Sequence, residues 1–272
     1  MTTQHSRTTG AGRTVGRWRG PVTAGLVVAG LGLAGAAVAV AASDDPGPAA
    51  ETRPAPTAPT PSATPPSATP RPTASASPQA AATRSTGDRV DADWLARTAE
   101  RSGIPPVALR AYAGAALALG EEQPGCGIGW NTLAAIGLAE SDHGTAGGSA
   151  LDARGVAVPP VLGPALDGSA GRARIADTDA GALDGDTRLD RAVGPMQMIP
   201  QTWATWAADG DGDGVADPQN VTDAALAAAR YLCVSGDLAD PEIWVQAVAS
   251  YNDDLAYNNA VADEAERLAG LG

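Results

Sequence analysis

The chain has 272 residues with 31 acidic and 18 basic side chains, a formal net charge of −13. From Asp88 onward 28 acidic residues face 11 arginines, a local balance of −17. That excess repels nucleic acid and anionic membrane surfaces, and leaves cations and neutral polymers such as glycans as partners.

Residues 1–20 carry Arg7, Arg13, Arg17 and Arg19 and no acid, a basic tail of +4. Within residues 21–42, Ala24–Ala42 holds no charged or strongly polar side chain. Its 19 residues reach the length of a membrane span. Arginine on the N-terminal side predicts a cytosolic tail and an extracytoplasmic remainder. Small residues at Ala37–Ser43 also suit cleavage of a signal peptide. The protein is therefore expected either in the cell membrane, single-pass with its C-terminal part outside, or secreted after cleavage.

Residues 43–87 hold 11 of the 22 prolines, with many Ser, Thr and Ala and no aromatic residue. Such a segment cannot bury enough apolar surface to fold, so it is expected as a disordered linker. Fully extended it reaches at most roughly 140 Å.

Residues 88–272 have globular composition and hold every tyrosine and all tryptophans except Trp18. Helices are expected at Ala92–Arg101, from Pro105–Pro106 through Leu119, and at Trp130–Glu140. They resume at Gln201–Ala208, Asp223–Val234, Pro241–Tyr251 and Ala256–Leu268. Residues 145–190 read as a long irregular segment rich in Gly, Asp and Pro. No alternating strand pattern of useful length is present, so the class is all-α. Cys126 and Cys233 lie in the exported part, where a pair is expected as a disulfide.

The helix at Trp130–Glu140 is apolar almost all round and ends in one carboxylate, Glu140. Asn131 or Thr132 can cap its start and Gly144 can stop it. Burial and the negative end of the helix dipole both raise the pKa of Glu140, as a general acid needs. A solvated glutamate in a fraying last turn is the plainer alternative. Next, Gly194-Pro195 fixes a turn before Gln197, whose amide suits sugar hydroxyls and acetamido groups. Pro200 then opens a helix bearing Trp203 and Trp206, read either as sugar-stacking or as core tryptophans. Tyr251-Asn252 ends a later apolar helix, and Tyr251 can hydrogen-bond a buried carboxyl. Finally, Asp209-Gly-Asp211-Gly-Asp213-Gly214-Val215 follows the front half of a calcium loop. Position 12 is Asn220, which cannot bind bidentately. The expected ligands are therefore Asp209, Asp211, Asp213, the Val215 carbonyl and Asp223, with Thr222 as the helix cap. A metal-free Asp-Gly turn is the alternative.

Glu140-Ser141, then Gly194-x-x-Gln197-Met198-x-Pro200, then Tyr251-Asn252 resembles the lytic murein transglycosylases of the lysozyme-like superfamily. The likeness is to the type B branch and its actinobacterial relatives, over roughly residues 88–265. It implies a lysozyme-like helical fold that cleaves peptidoglycan glycan strands. It implies that Glu140 is both acid and base, that Ser141 and Gln197 lie beside the substrate, and that Tyr251 positions Glu140. Trp203 and Asn252 are carried with them as substrate-binding residues. The type B branch also has a long calcium loop.

Most glycosidases need two carboxyls, and a lytic transglycosylase works with one. A muramidase-type hydrolase would need a second, for which Asp177, Asp179, Asp184, Asp186 and Asp190 are the candidates. Those acids read equally as a solvated loop or a second cation site. A non-catalytic, calcium-dependent wall-binding module is the rival of a different class.

Overall fold

The computed structural model describes residues 84–169 and 171–271. The membrane or signal segment at 21–42 and nearly all of the linker at 43–87 lie outside the described residues. Seven helices form the body among the described residues: α1 (Ala92–Ser102), α2 (Pro106–Glu122), α3 (Trp130–Ser141), α4 (Pro200–Trp206), α5 (Val221–Cys233), α6 (Pro241–Tyr251) and α7 (Leu255–Ala269). This helix-rich body fits the all-α expectation. None of the described helices is long and apolar enough to cross a membrane.

The helices form where capping and periodicity dictate. Asp91, Asp240 and Asp254 accept backbone N–H groups at the starts of α1, α6 and α7. Asn220 caps α5 through Thr222 N, in place of the expected Thr222. In α3, Asn131 and Thr132 turn out not to be caps. Asn131 Nδ2 donates to Ala265 O at 3.0 Å, and Thr132 Oγ1 accepts from Trp244 Nε1 at 2.9 Å. The helix ends at Ser141, three residues before Gly144, because Asp142 already adopts the left-handed conformation with φ 52°.

The core lies between α2, α3 and α5, with α7 against α3. Alanines along α2 and α5 let these helices approach closely, and Leu109, Leu119, Leu133, Ile136 and Leu232 fill the space between them. Gly137 in α3 is required for a steric reason: a Cβ there would collide with the Tyr112 hydroxyl.

Residues 145–199 contain short strands that the sequence pattern did not reveal. β1 (Ala150–Leu151) pairs antiparallel with β2 (Ala157–Val158). β3 (Leu162–Ala165) pairs antiparallel with β4 (Arg191–Val193) through an irregularity, with Leu162 opposite Val193 and Ala165 opposite Arg191. Strands of two to four residues are too short to display alternation. A 3-10 turn at Thr86–Arg89 packs on α2, so the folded part begins before Asp88. Cys126 and Cys233 are joined by a disulfide, which links the approach to α3 to the end of α5.

Candidate active site

Glu140 occupies the last turn of α3 and is 3% exposed. Burial pushes its carboxyl up to about 8, while a hydrogen bond from the Tyr257 hydroxyl to Oε1 at 2.7 Å acts in the opposite direction. Neither cause is a second carboxylate. Asp142 is exposed, and its side chain receives the Thr145 hydroxyl.

All four tyrosines of the chain gather under this helix end. The Tyr251 hydroxyl donates to Met196 O at 2.7 Å, and Tyr231 donates to Ser250 O at 2.6 Å. The two rings meet edge to face with centroids 5.6 Å apart. Burial raises the pKa of Tyr112, Tyr251 and Tyr257 well above the ordinary phenol value, so they stay neutral donors. The Tyr112 hydroxyl lies 3.3 Å from His143 Nδ1. Burial lowers the His143 pKa to about 4, against the raising influence of Asp142 and Glu264.

The hydroxyl on Glu140 therefore belongs to Tyr257, not to the expected Tyr251. Tyr251 instead anchors the backbone of the glutamine turn. Tyr257 falls outside the Tyr251-Asn252 motif, but the sequence carried a signal for it. It opens the buried stripe Tyr257, Val261, Ala265, Leu268 on α7.

The turn itself is closely held. Val193 and Met198 exchange backbone hydrogen bonds at 2.8 and 3.1 Å, and Gly194 N donates to Val161 O at 2.9 Å. Gly194 has φ 76°, and a Cβ there would run into the Pro218 carbonyl. Gln197 also has a positive φ, 47°. Its Nε2 donates to Gly194 O at 3.1 Å and Ala192 O at 3.4 Å, and its Oε1 stands against Gly163.

Ser141 Oγ donates to Pro195 O at 2.5 Å and accepts from Gly144 N at 2.7 Å. Expected beside the substrate, it is buried here and braces the turn against α3. Trp203, expected as a sugar-stacking residue, is 5% exposed and packs in the core. Asn252 is buried. Its Oδ1 accepts from Asp254 N at 3.0 Å, and its Nδ2 has no partner among the described residues.

Carboxylate oxygens of Asp209, Asp211 and Asp213 lie within 4.8 Å of one another. Three hard anionic oxygens at that spacing fit a divalent cation such as calcium. Asp223 stands apart from this group. Its Oδ1 accepts from Gly210 N at 2.8 Å and Asp211 N at 3.1 Å, and its Oδ2 accepts from Asp217 N at 2.9 Å. Burial raises its pKa to about 6, which those amides oppose. The residue expected as a bidentate ligand thus organises the loop backbone. Val215 is exposed, and its N–H donates to Asp213.

A second trio, Asp177, Asp179 and Asp190, is equally close. The acids of 177–190 mainly hold backbone. Asp177 and Asp179 accept from Gly181 N, Asp190 takes Thr178 through N and Oγ1, and Asp184 takes Asp186 N and Arg191 N.

An open groove of about 510 Å³ lies beside β3 and β4, and Glu140 is not among its lining residues. The buried carboxyl that accepts a tyrosine hydroxyl is Glu140.

Residues 186–270 match the family model of the transglycosylase SLT domain. The matched stretch includes Gln197, Asp209, Tyr251 and Tyr257, and stops short of α3 and Glu140. No curated protein and no solved structure matches the chain. The family match, on a helix-rich body that fits a lysozyme-like domain, supports a lytic transglycosylase-type enzyme that cleaves glycosidic bonds of peptidoglycan.

Proposed function

We propose that the protein cleaves the muramic acid–glucosamine bond by intramolecular transglycosylation, leaving 1,6-anhydro ends, in cell-wall turnover. Glu140 is the catalytic group. As a protonated acid it delivers its proton to the bridging oxygen while the C1–O bond breaks. The substrate's own acetamido group stabilises the cationic C1. The Glu140 carboxylate then removes the proton from the C6 hydroxyl as O6 bonds to C1. Every proton is accounted for and no water enters. Tyr257 is a positioning residue, holding Oε1 and stabilising the carboxylate between the two steps.

The observation that carries this reading is the buried Glu140 carboxyl, raised to about 8 by burial and hydrogen-bonded by a tyrosine hydroxyl rather than by a second acid. Such a pKa keeps the group protonated near neutral pH and still lets it act as a base once ionised. Gln197 and Asn252, both buried, are assigned to the sugar and acetamido groups through the resemblance of their motifs, as Ser141 and Trp203 are. A type B-like assignment rests on the motif order and on the aspartate loop. There Asp209, Asp211 and Asp213 would hold calcium, a structural ion that neutralises the loop. Residues 21–42 would place the domain outside the cytosol, anchored or secreted, with 43–87 as its tether.

The test is mass spectrometry of digested peptidoglycan. Products ending in 1,6-anhydromuramic acid are expected, each about one water lighter than a hydrolytic product. Glu140→Gln should lower cleavage by at least about 10³-fold with native circular dichroism, since the amide neither gives nor takes the proton. Reducing muramic ends as main product would establish the muramidase alternative. Native-like cleavage by Glu140→Gln would remove Glu140 from the chemistry.

A further inference from the structure

The backbone that follows Glu140 and Ser141 is held in a costly conformation. Three successive residues, Asp142, His143 and Gly144, have positive φ values of 52°, 59° and 85°. Gly144 adopts such a value freely, whereas the other two carry a Cβ that disfavours it. Asp142 is exposed, and its side chain receives the Thr145 hydroxyl. His143 is buried, and glycine in its place would take the same backbone at lower cost. A bulky side chain kept at such a position points to a task for that side chain.

Its contacts indicate the task. His143 N donates to Gly137 O at 2.9 Å, which closes the last turn of α3. Its ring packs against Tyr112 of α2 with centroids 5.8 Å apart, and the Tyr112 hydroxyl lies 3.3 Å from Nδ1. The same hydroxyl fills the notch at Gly137, where a Cβ would collide with it. The Tyr112 phenol therefore meets both ends of the segment 137–143, and Glu140 stands midway along that segment. Ser141 fastens the turn from its other side, through Pro195 O.

The contact is between neutral groups. Burial lowers the His143 pKa to about 4, with Asp142 and Glu264 raising it and Arg267 lowering it. Burial, reinforced by Asp142, keeps the Tyr112 phenol protonated. With the imidazole proton on Nε2, Tyr112 donates to Nδ1. The titratable groups packed around Glu140 are Tyr257 of α7, Tyr251 of α6 and Tyr112 of α2, and all three stay protonated through burial. Among the described residues the hydrogen bond on the Glu140 carboxyl comes from Tyr257. An influence of His143 on that carboxyl therefore passes through the backbone of the turn.

We propose that His143 is a positioning residue for Glu140, whose contact with Tyr112 pins the end of α3 and keeps the carboxyl out of water. This rests on the reading of Glu140 as the catalytic group. Without the pin the turn relaxes, water reaches the carboxyl, and its pKa falls towards the ordinary carboxylate range. Removal of the Tyr257 hydroxyl acts in the opposite direction, so the two supports of Glu140 are separable by sign.

The test follows the Glu140 carboxyl by carbon-13 NMR through a pH titration of the full chain, its signal assigned by its absence in Glu140→Gln. His143→Gly and Tyr112→Phe should each lower the midpoint from about 8 by about one pH unit or more. In both variants kcat should fall about tenfold with KM little changed, because the acid and not the substrate is displaced. His143→Asn should recover most of the midpoint and of kcat. Asparagine tolerates the left-handed backbone, and its Oδ1 can accept from Tyr112.

An unmoved midpoint in both His143→Gly and Tyr112→Phe overturns the proposal. A midpoint as low in His143→Asn as in His143→Gly also overturns it, since the side-chain contact would then be immaterial. Circular dichroism reports the folding of each variant, and should His143→Gly lose the fold, the midpoint in Tyr112→Phe decides. The titration needs no turnover. Cleavage that survives in Glu140→Gln would remove the catalytic reading, and the midpoints would still decide whether His143 pins the carboxyl.

Discussion

The end of α3 and the loops of residues 145–199 treat the same functional group in opposite ways. Glu140 sits among helices and tyrosines with one hydrogen bond, and burial drives its pKa up. Asp186 and Asp152 accept hydrogen bonds from neighbouring backbone amides, and Asp167 from the Ser169 side chain and then its amide, and these hold their pKa down. The lesson concerns environment rather than residue type. These three loop carboxylates favour the anion and serve as scaffold. Glu140, buried and without an amide partner among the described residues, favours the protonated form. Asp223 lies between the extremes, buried yet holding three amides, at about 6.

The joint between the two regions is the place to break the contrast most severely. Gly194→Ala forces a Cβ into the Pro218 carbonyl at a positive φ. It should destabilise the protein by about 4 kcal/mol. Urea denaturation measures this, and a loss below about 1 kcal/mol would mean that the turn is not rigid.

Next in size is the linkage at Glu140. A carboxyl raised in the folded state favours folding while protonated, fully so below its unfolded value near 4.5. That contribution is lost as pH rises through 4.5 towards 8. Replacing it with an amide removes the penalty, so Glu140→Gln should gain on the unsubstituted protein by on the order of 3 kcal/mol between pH 4 and pH 7. Parallel stability curves for the two proteins would contradict the buried, protonated description.

Tyr257→Phe sharpens the comparison further. Its hydroxyl lowers the Glu140 pKa, so its removal should move the alkaline limb of kcat/KM upward by about one pH unit. Tyr251→Phe, whose hydroxyl bonds Met196 O instead, should not move that limb. A shift of equal size in both variants would undo the reassignment.

The smallest effect is expected in the aspartate loop. Calcium should raise the melting temperature by roughly 5 °C over chelator, and Asp211→Ala should abolish the difference. Identical melting in all conditions would remove the ion.

Much of this was legible because helices announce themselves by period. The bounds of α6 and the burial of α3 follow from Pro241, from the Trp130–Ala139 run and from the absence of a polar face. What escaped was decided by contacts across the fold. Trp203 and Trp206 look alike in sequence, yet Trp203 is buried while Trp206 meets Tyr231 at the margin. Ser141 adjoins Glu140 in the chain, but the approach of Pro195 turns its hydroxyl into a brace. Tyr257 stands 117 residues from Glu140, a pairing no local pattern encodes. The strands of 145–199 are held by cross-chain bonds such as Gly194 N to Val161 O, again invisible to periodicity.

The turn at Thr86–Arg89 has a mechanical meaning. Thr86 N donates to Gly210 O at 2.8 Å, at the threshold of the aspartate loop. Its backbone lies so close to Gly114 of α2 that a Cβ there would come within 2.7 Å of it. Tension on the preceding chain would therefore be taken up first by α2 and the Gly210 corner. The fold is clamped at its point of entry, so a pull along the polypeptide has to shear that clamp before it can distort the helix end that holds Glu140.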